Sequence, residues 1–274
     1  MKDNEKLPTL FILNKPFKKI KMKNLILITL MTIALHSASM AQTSIIAHRG
    51  SWKQSNNPQN SIASFKEAIS QKVYGSEFDV HLTKDNILVL NHDHDFNGLD
   101  VEKSTYQELL AKKLPNGESI PTAEEFIKEG LKQKHTKMVF ELKTSRISKE
   151  RTLEAVKQSI ELVKKLKAEK MVEYIAFDWD ACLKFRELDK KAKVFYLTGD
   201  KTPAEIKTAK LTGPDYHFTI FKKNPTWIKE CKDLKLKTNV WTVNSEEDMK
   251  FFIHEKVDYI TTDETELLTK VLNK

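Results

Sequence analysis

The chain has 274 residues, 40% hydrophobic and 31% charged, with a formal net charge of +8. The basic excess is local: residues 1–41 hold seven lysines against Asp3 and Glu5, a net +5, which leaves +3 for residues 42–274. So small a balance gives no reason to expect nucleic acid as a partner, and only two cysteines, Cys182 and Cys231, exclude a disulfide-framed fold.

Residues 1–41 read as an N-terminal extension and signal peptide. Lys18, Lys19, Lys21 and Lys23 form a basic region ahead of the apolar stretch Leu25 to Leu35, which is too short to span a bilayer. Ser39-Met40-Ala41 then supplies small residues at a cleavage site, and Met22-Lys23 would itself make a compact start, leaving residues 1–21 as an upstream extension. The expectation is an exported product, periplasmic or secreted, that begins near Gln42. An uncleaved anchor helix is the alternative. No lipobox cysteine follows the apolar stretch and no second long apolar run exists, so the mature chain is expected to be soluble, without stable membrane insertion. Its 233 residues form a single domain, 42–274, of the size of one α/β barrel, about 250 residues.

Strand-like and helix-like segments alternate along that domain. Strands are predicted at 45–48, 75–82, 86–91, 137–142, 173–177, 193–197, 215–220, 237–242 and 258–261, and helices at 60–72, 122–133, 149–169, 179–189, 203–209, 225–234 and 245–254. Asn60 is the expected N-cap of the first helix, Pro121-Thr122 with Glu125 forms a capping box, and Asn244 or Ser245 caps the last helix. Nine strands exceed the eight places of a barrel. Because Lys84-Asp85-Asn86 leaves no room for a crossover helix, 75–82 and 86–91 are expected to form a hairpin turning at Asp85-Asn86, which makes the barrel irregular there. The stretch from His94 to Ile120, with Gly98, Pro115 and Gly117, reads as a long loop above the active face.

Four of the apolar runs end in charged or imidazole groups, at His48-Arg49-Gly50, Glu77-Phe78-Asp79, His92-Asp93 and Glu141-Leu142-Lys143. In parallel barrels such groups meet at the carboxyl edge, where active sites lie. Glu77, Asp79 and His81 alternate along one strand face. Two carboxylates so placed repel each other unless a cation lies between them, and oxygen ligands favour Ca²⁺ or Mg²⁺. Glu141 is positioned to close the set from a neighbouring strand; a merely solvated strand face is the competing reading. An imidazole, a guanidinium fork and a permissive glycine in one tripeptide suit an anionic ester. Either His92 or His94 fits the second imidazole, with strand phase favouring His92.

The order His48-Arg49-Gly50, Asn60-Ser61 with Phe65, Glu77-x-Asp79-Val80, Thr83-Lys84-Asp85, Val89-Leu90-Asn91-His92-Asp93 and Glu141-x-Lys143 resembles the glycerophosphodiester phosphodiesterase family. Tyr196-Leu197-Thr198-Gly199, Trp241-Thr242-Val243-Asn244 and Val257 to Asp263 continue the likeness, which covers about residues 45–268. The resemblance implies an irregular (β/α)8 TIM barrel of the phospholipase C-like phosphodiesterase type. It implies Glu77, Asp79 and Glu141 as ligands of a divalent metal, His48 and His92 as the acid/base pair, and Arg49, Lys143 and Trp241 as substrate or phosphate contacts. The implied reaction is metal-dependent hydrolysis of a small-molecule glycerophosphodiester to sn-glycerol 3-phosphate and an alcohol. One position departs: the family's usual Pro-Glu-Asn-Thr reads Pro58-Gln59-Asn60-Ser61 here. The lost charge leaves open an effect on metal binding, on a histidine, or none. Two other functions remain open: a lysophospholipase D-like diesterase using Phe218, Phe221 and Trp227 as an apolar approach unless they are core, and a silent phosphate-binding barrel.

Overall fold

The computed structural model describes residues 43–274, so the expected extension and signal peptide at 1–41 lie outside the described residues. Eight parallel strands close into a barrel: β1 (Ser44–Ala47), β2 (Gly75–Leu82), β6 (Lys137–Leu142), β7 (Val172–Ala176), β8 (Val194–Tyr196), β9 (Gly213–His217), β10 (Asn239–Trp241) and β11 (Tyr259–Thr262), which pairs back onto β1. The expected (β/α)8 barrel is therefore the fold. β3 (Leu88–Leu90) runs antiparallel to the end of β2, with Val80 opposite Leu90 and Leu82 opposite Leu88. This is the predicted hairpin, and Asn86 turns it with a φ of 65°.

Alternation along β2 builds two layers at once. Phe78 points outward, 4.2 Å from Phe126 on α3 (Ala123–Gly130), which stacks in turn at 4.0 Å on Phe65 of α1 (Ile62–Ser70). These rings fill the space between barrel and helices, and burying each is worth about 1.5–3 kcal/mol. Inside the barrel, Ile46, Val139, Ile175, Phe195, Leu197 and Tyr259 pack together, so the lumen is a core and not a pore.

Several expectations need correction. The stretch 94–120 is not a bare loop: it holds a two-stranded ribbon, β4 (Asp95–Phe96) with β5 (Leu99–Asp100), and a short helix, α2 (Tyr106–Leu109). Phe96, Val101, Leu109 and Ile120 give it a small core against Val89 of β3. The predicted strand 215–220 stops at His217, and α7 (Phe218–Lys223) begins at once; a buried strand and a short helix look alike over six residues. The C-terminal α10 (Thr265–Leu272) was not predicted. Ser61, not Asn60, caps α1 by accepting from Ser64 N at 2.9 Å; of the two expected candidates for α9 (Glu246–His254), Ser245 is the cap. Thr122 and Glu125 do form the expected capping box. The remaining helices are α4 (Lys149–Lys165), α5 (Trp179–Leu188), α6 (Pro203–Thr208) and α8 (Trp227–Asp233). Both cysteines are buried free thiols. No described helix is long and apolar enough to cross a membrane.

Candidate active site

β2 and β6 are neighbours, with Asp79 opposite Glu141. Glu77, Asp79 and Glu141 consequently offer carboxylate oxygens that all lie within 4.8 Å of one another. They are 3%, 1% and 8% exposed, which rules out the solvated strand face. Lys143 Nζ donates to Asp79 Oδ1 and Glu141 Oε1, both at 2.6 Å, and Arg49 Nε stands 3.5 Å from Asp79 Oδ2. Arg49 N donates to Glu77 Oε2 at 2.9 Å, while Glu77 Oε1 is buried with no partner. Burial, then the charges of Asp79 and Glu141, push Glu77 well above the usual carboxylate range. Burial and Asp79 lift Glu141 to about 7. Asp79 is held low because Lys143, His92 and Arg49 outweigh its burial. Three crowded carboxylates, one with an orphaned oxygen, make a hard-cation donor set.

Asn60 does its work here. Its amide donates to Asp79 Oδ2 at 2.8 Å and its Oδ1 accepts from Asp79 N at 3.0 Å, from a backbone at φ 56°. Gln59 Oε1 accepts from Arg49 Nη1 at 2.7 Å, so the departing residue touches the guanidinium and not the carboxylates. The turn that aims Arg49 needs Gly50: its φ is 85°, and a Cβ there would lie 2.4 Å from Ser64 Oγ.

The two imidazoles approach from different sides. His48 follows β1 and its Nδ1–H donates to Asp263 Oδ1 at 2.8 Å. Asp263, just past β11, also accepts from Asn244 Nδ2 at 2.7 Å and Trp52 Nε1 at 3.3 Å. These three donors keep its carboxyl low despite its burial. His92, after β3, donates from Nδ1 to Asp93 Oδ1 at 2.7 Å. In both rings the carboxylate favours the tautomer protonated at Nδ1. Burial, with Lys143 and Arg49 nearby, lowers the pKa of His92. His81 is not in the donor set: its Nε2 meets the carbonyl of His92 at 3.3 Å, and its ring lies 4.8 Å from that of His94. Asp263 was missed as the partner of His48, although it ends a motif the sequence displays.

A cavity of about 470 Å³ opens beside this cluster, lined by His92, Glu141 and Lys143 within and by Arg146 and Phe177 outside. Phe177 stands edge-on to Trp241 at 5.6 Å, and Trp241 donates from Nε1 to the carbonyl of Asp215 at 2.9 Å. Of Phe218, Phe221 and Trp227, none lines this cavity. Phe221 is 1% exposed, and the other two pack partly buried against the same core.

The model of the glycerophosphoryl diester phosphodiesterase family matches residues 48–267. The chain belongs to that family. A glycerophosphodiester phosphodiesterase structure from Parabacteroides distasonis is 43% identical, with a TM-score of 0.83 over 85% of this chain and 98% of that one. A curated glycerophosphodiester phosphodiesterase from Caldanaerobacter subterraneus is 29% identical over 85% of this chain and 99% of its own. An Oleispira antarctica phosphodiesterase, solved with its product sn-glycerol-3-phosphate, shares the fold at 22% identity and a TM-score of 0.72 over 85% of this chain and 98% of that one.

Proposed function

We propose that this protein is a divalent-metal-dependent glycerophosphodiester phosphodiesterase, releasing sn-glycerol 3-phosphate and an alcohol. The observation that carries the metal is the buried triad Glu77, Asp79 and Glu141 with its unpartnered oxygen. A hard cation such as Ca²⁺ or Mg²⁺ held there would neutralise charge that develops on the phosphoryl oxygens. Arg49, braced by Gln59, and Lys143 bind the non-bridging oxygens and stabilise the transition state. Trp241 lines the substrate's approach beside Phe177.

His48, oriented by Asp263, takes the proton of the attacking hydroxyl through Nε2. That hydroxyl belongs to water or to the glycerol 2-position. His92 gives a proton to the departing alkoxide, which leaves as the neutral alcohol while the phosphate keeps its negative charge; where the 2-hydroxyl attacks, water then opens the cyclic phosphate to glycerol 3-phosphate. The low pKa of His92 makes its protonated ring the stronger acid, and the substrate's phosphate charge offsets the cations that lower it. The lysine-led apolar segment before Ala41 supports export of the enzyme, with cleavage there.

The test is release of glycerol 3-phosphate from several glycerophosphodiesters, with and without chelator. Activity should vanish on chelation and return with Ca²⁺ or Mg²⁺. Full activity of metal-stripped protein would remove the cation from the mechanism, and binding without turnover would leave a silent phosphate-binding barrel.

A further inference from the structure

The outer half of the 470 Å³ cavity is built from groups the hydrolysis does not use: His94, Asp95, Thr144, Arg146 and Phe177. Its charges are of both signs: His94 Nδ1 stands 3.7 Å from Glu102 Oε2, whereas Arg146 and Asp95 have no ionic partner among the described residues. The guanidinium of Arg146 has no hydrogen bond or ion pair among the described residues; only its backbone N is engaged, donating to Glu102 Oε2 at 2.9 Å. Arg146 nonetheless lies close to the cavity wall, since after burial its charge is the largest influence holding His94 below its ordinary pKa. The carboxylate of Asp95 accepts from one backbone N–H, that of Gly98 at 2.8 Å, and forms no ion pair among the described residues. Asp93 beside it shares one oxygen with His92 and is 77% exposed at its side chain. Phe177, 41% exposed, gives an apolar wall.

Such charges would discriminate among leaving groups seated in the cavity. A quaternary ammonium alcohol would satisfy Asp93 and Asp95 but leave Arg146 facing a cation. A purely anionic alcohol would satisfy Arg146 but face the two carboxylates. An alcohol carrying an ammonium and a carboxylate on one carbon satisfies both, with its methylene against Phe177. We propose that this outer cavity is a leaving-group subsite for a zwitterionic alcohol of the serine type, with Arg146 as the specificity-determining residue for its carboxylate. The subsite rests on the phosphodiesterase reading, because it assumes a phosphate seated at Arg49 and Lys143.

Competing hydrolysis of glycerophosphoserine and glycerophosphocholine tests it, read as the ratio of their kcat/KM values in wild type, Arg146→Ala and Arg146→Lys. Wild type should prefer the serine ester. Arg146→Ala should reduce the serine-to-choline ratio about tenfold, mainly through KM for the serine ester, the size expected for a charge-assisted hydrogen bond. Arg146→Lys should restore part of it. Arg146 is exposed, so its substitution should leave the fold intact, which circular dichroism checks. An unchanged ratio in Arg146→Ala, or a wild-type preference for choline, overturns the subsite while leaving the hydrolase reading intact. Wild-type protein that turns over neither ester overturns the hydrolase reading and the subsite with it.

Discussion

At the amino end of the barrel, the buried Glu173 meets a donor on each side: Tyr74 Oη at 2.6 Å and Lys193 Nζ at 2.7 Å. Tyr259 Oη donates to Tyr74 Oη at 3.3 Å and extends the network across the floor. At the carboxyl end, Glu77, Asp79 and Glu141 crowd together, and two cations serve three carboxylates. The same fold thus buries glutamates in two ways. Those at the floor are satisfied and hold strands together, whereas those at the mouth are left short of positive charge, a deficit that a ligand can fill at the expense of the empty protein's stability.

The sharpest way to break this contrast is to remove the proposed proton-transfer groups at the mouth. His48→Ala or His92→Ala should each lower kcat by about 10²–10⁴-fold while thermal denaturation stays close to wild type. Near-normal turnover of purified His92→Ala would end its assignment as the acid.

Removing a carboxylate at each end should have opposite consequences. Glu77→Gln should cost at least about 100-fold in activity, more than the loss of a group that merely supports a ligand, yet raise the melting temperature of the metal-stripped protein by relieving repulsion. Glu173→Gln should leave turnover intact and cost about 1–3 kcal/mol of stability in denaturant titration. If both variants are destabilised alike, the two ends do not differ as argued.

Acidity sharpens the same point. Glu77 and Glu141 have folded-state pKa values above their unfolded ones, with Glu141 at about 7. The native state therefore keeps protons that the unfolded chain gives up, and metal-stripped protein should lose stability as pH rises from about 4.5 to about 7. Asp79, held low, works in the opposite direction, its contribution being lost as pH falls. Added Ca²⁺ or Mg²⁺ should flatten the decline; a melting temperature that does not fall over this window without metal would count against the crowding.

The smallest effects should separate the two imidazoles. Asp263→Asn should reduce kcat by roughly tenfold or more, since Asp263 is half-buried and fixed by Asn244 and Trp52. Asp93→Asn should cost less than about fivefold, as expected of an exposed pair. Equal losses would show that the surrounding bonds do not matter.

The barrel and its donor set were legible because strand ends carry their own chemistry: alternation put Glu77 and Asp79 on one face, and the absence of crossover length before Leu88 exposed the hairpin. Asn60 was misjudged because an asparagine before a helix looks like a cap, and only the fold brings Asp79 to it. Asp263 escaped for a similar reason, lying 215 residues from His48. The ribbon within 94–120 was hidden by strands of two residues, too short to show any period.

The seam between the first and last strands has a consequence for synthesis. A chain emerging from the ribosome has made every carboxylate of the acidic cluster by residue 141, but His48 has no Asp263 until the final strand is complete. The nascent protein thus carries its whole acidic cluster long before it can orient the proposed base, and a product shortened before Tyr259 would lack both the barrel's closing strand and the carboxylate that sets His48.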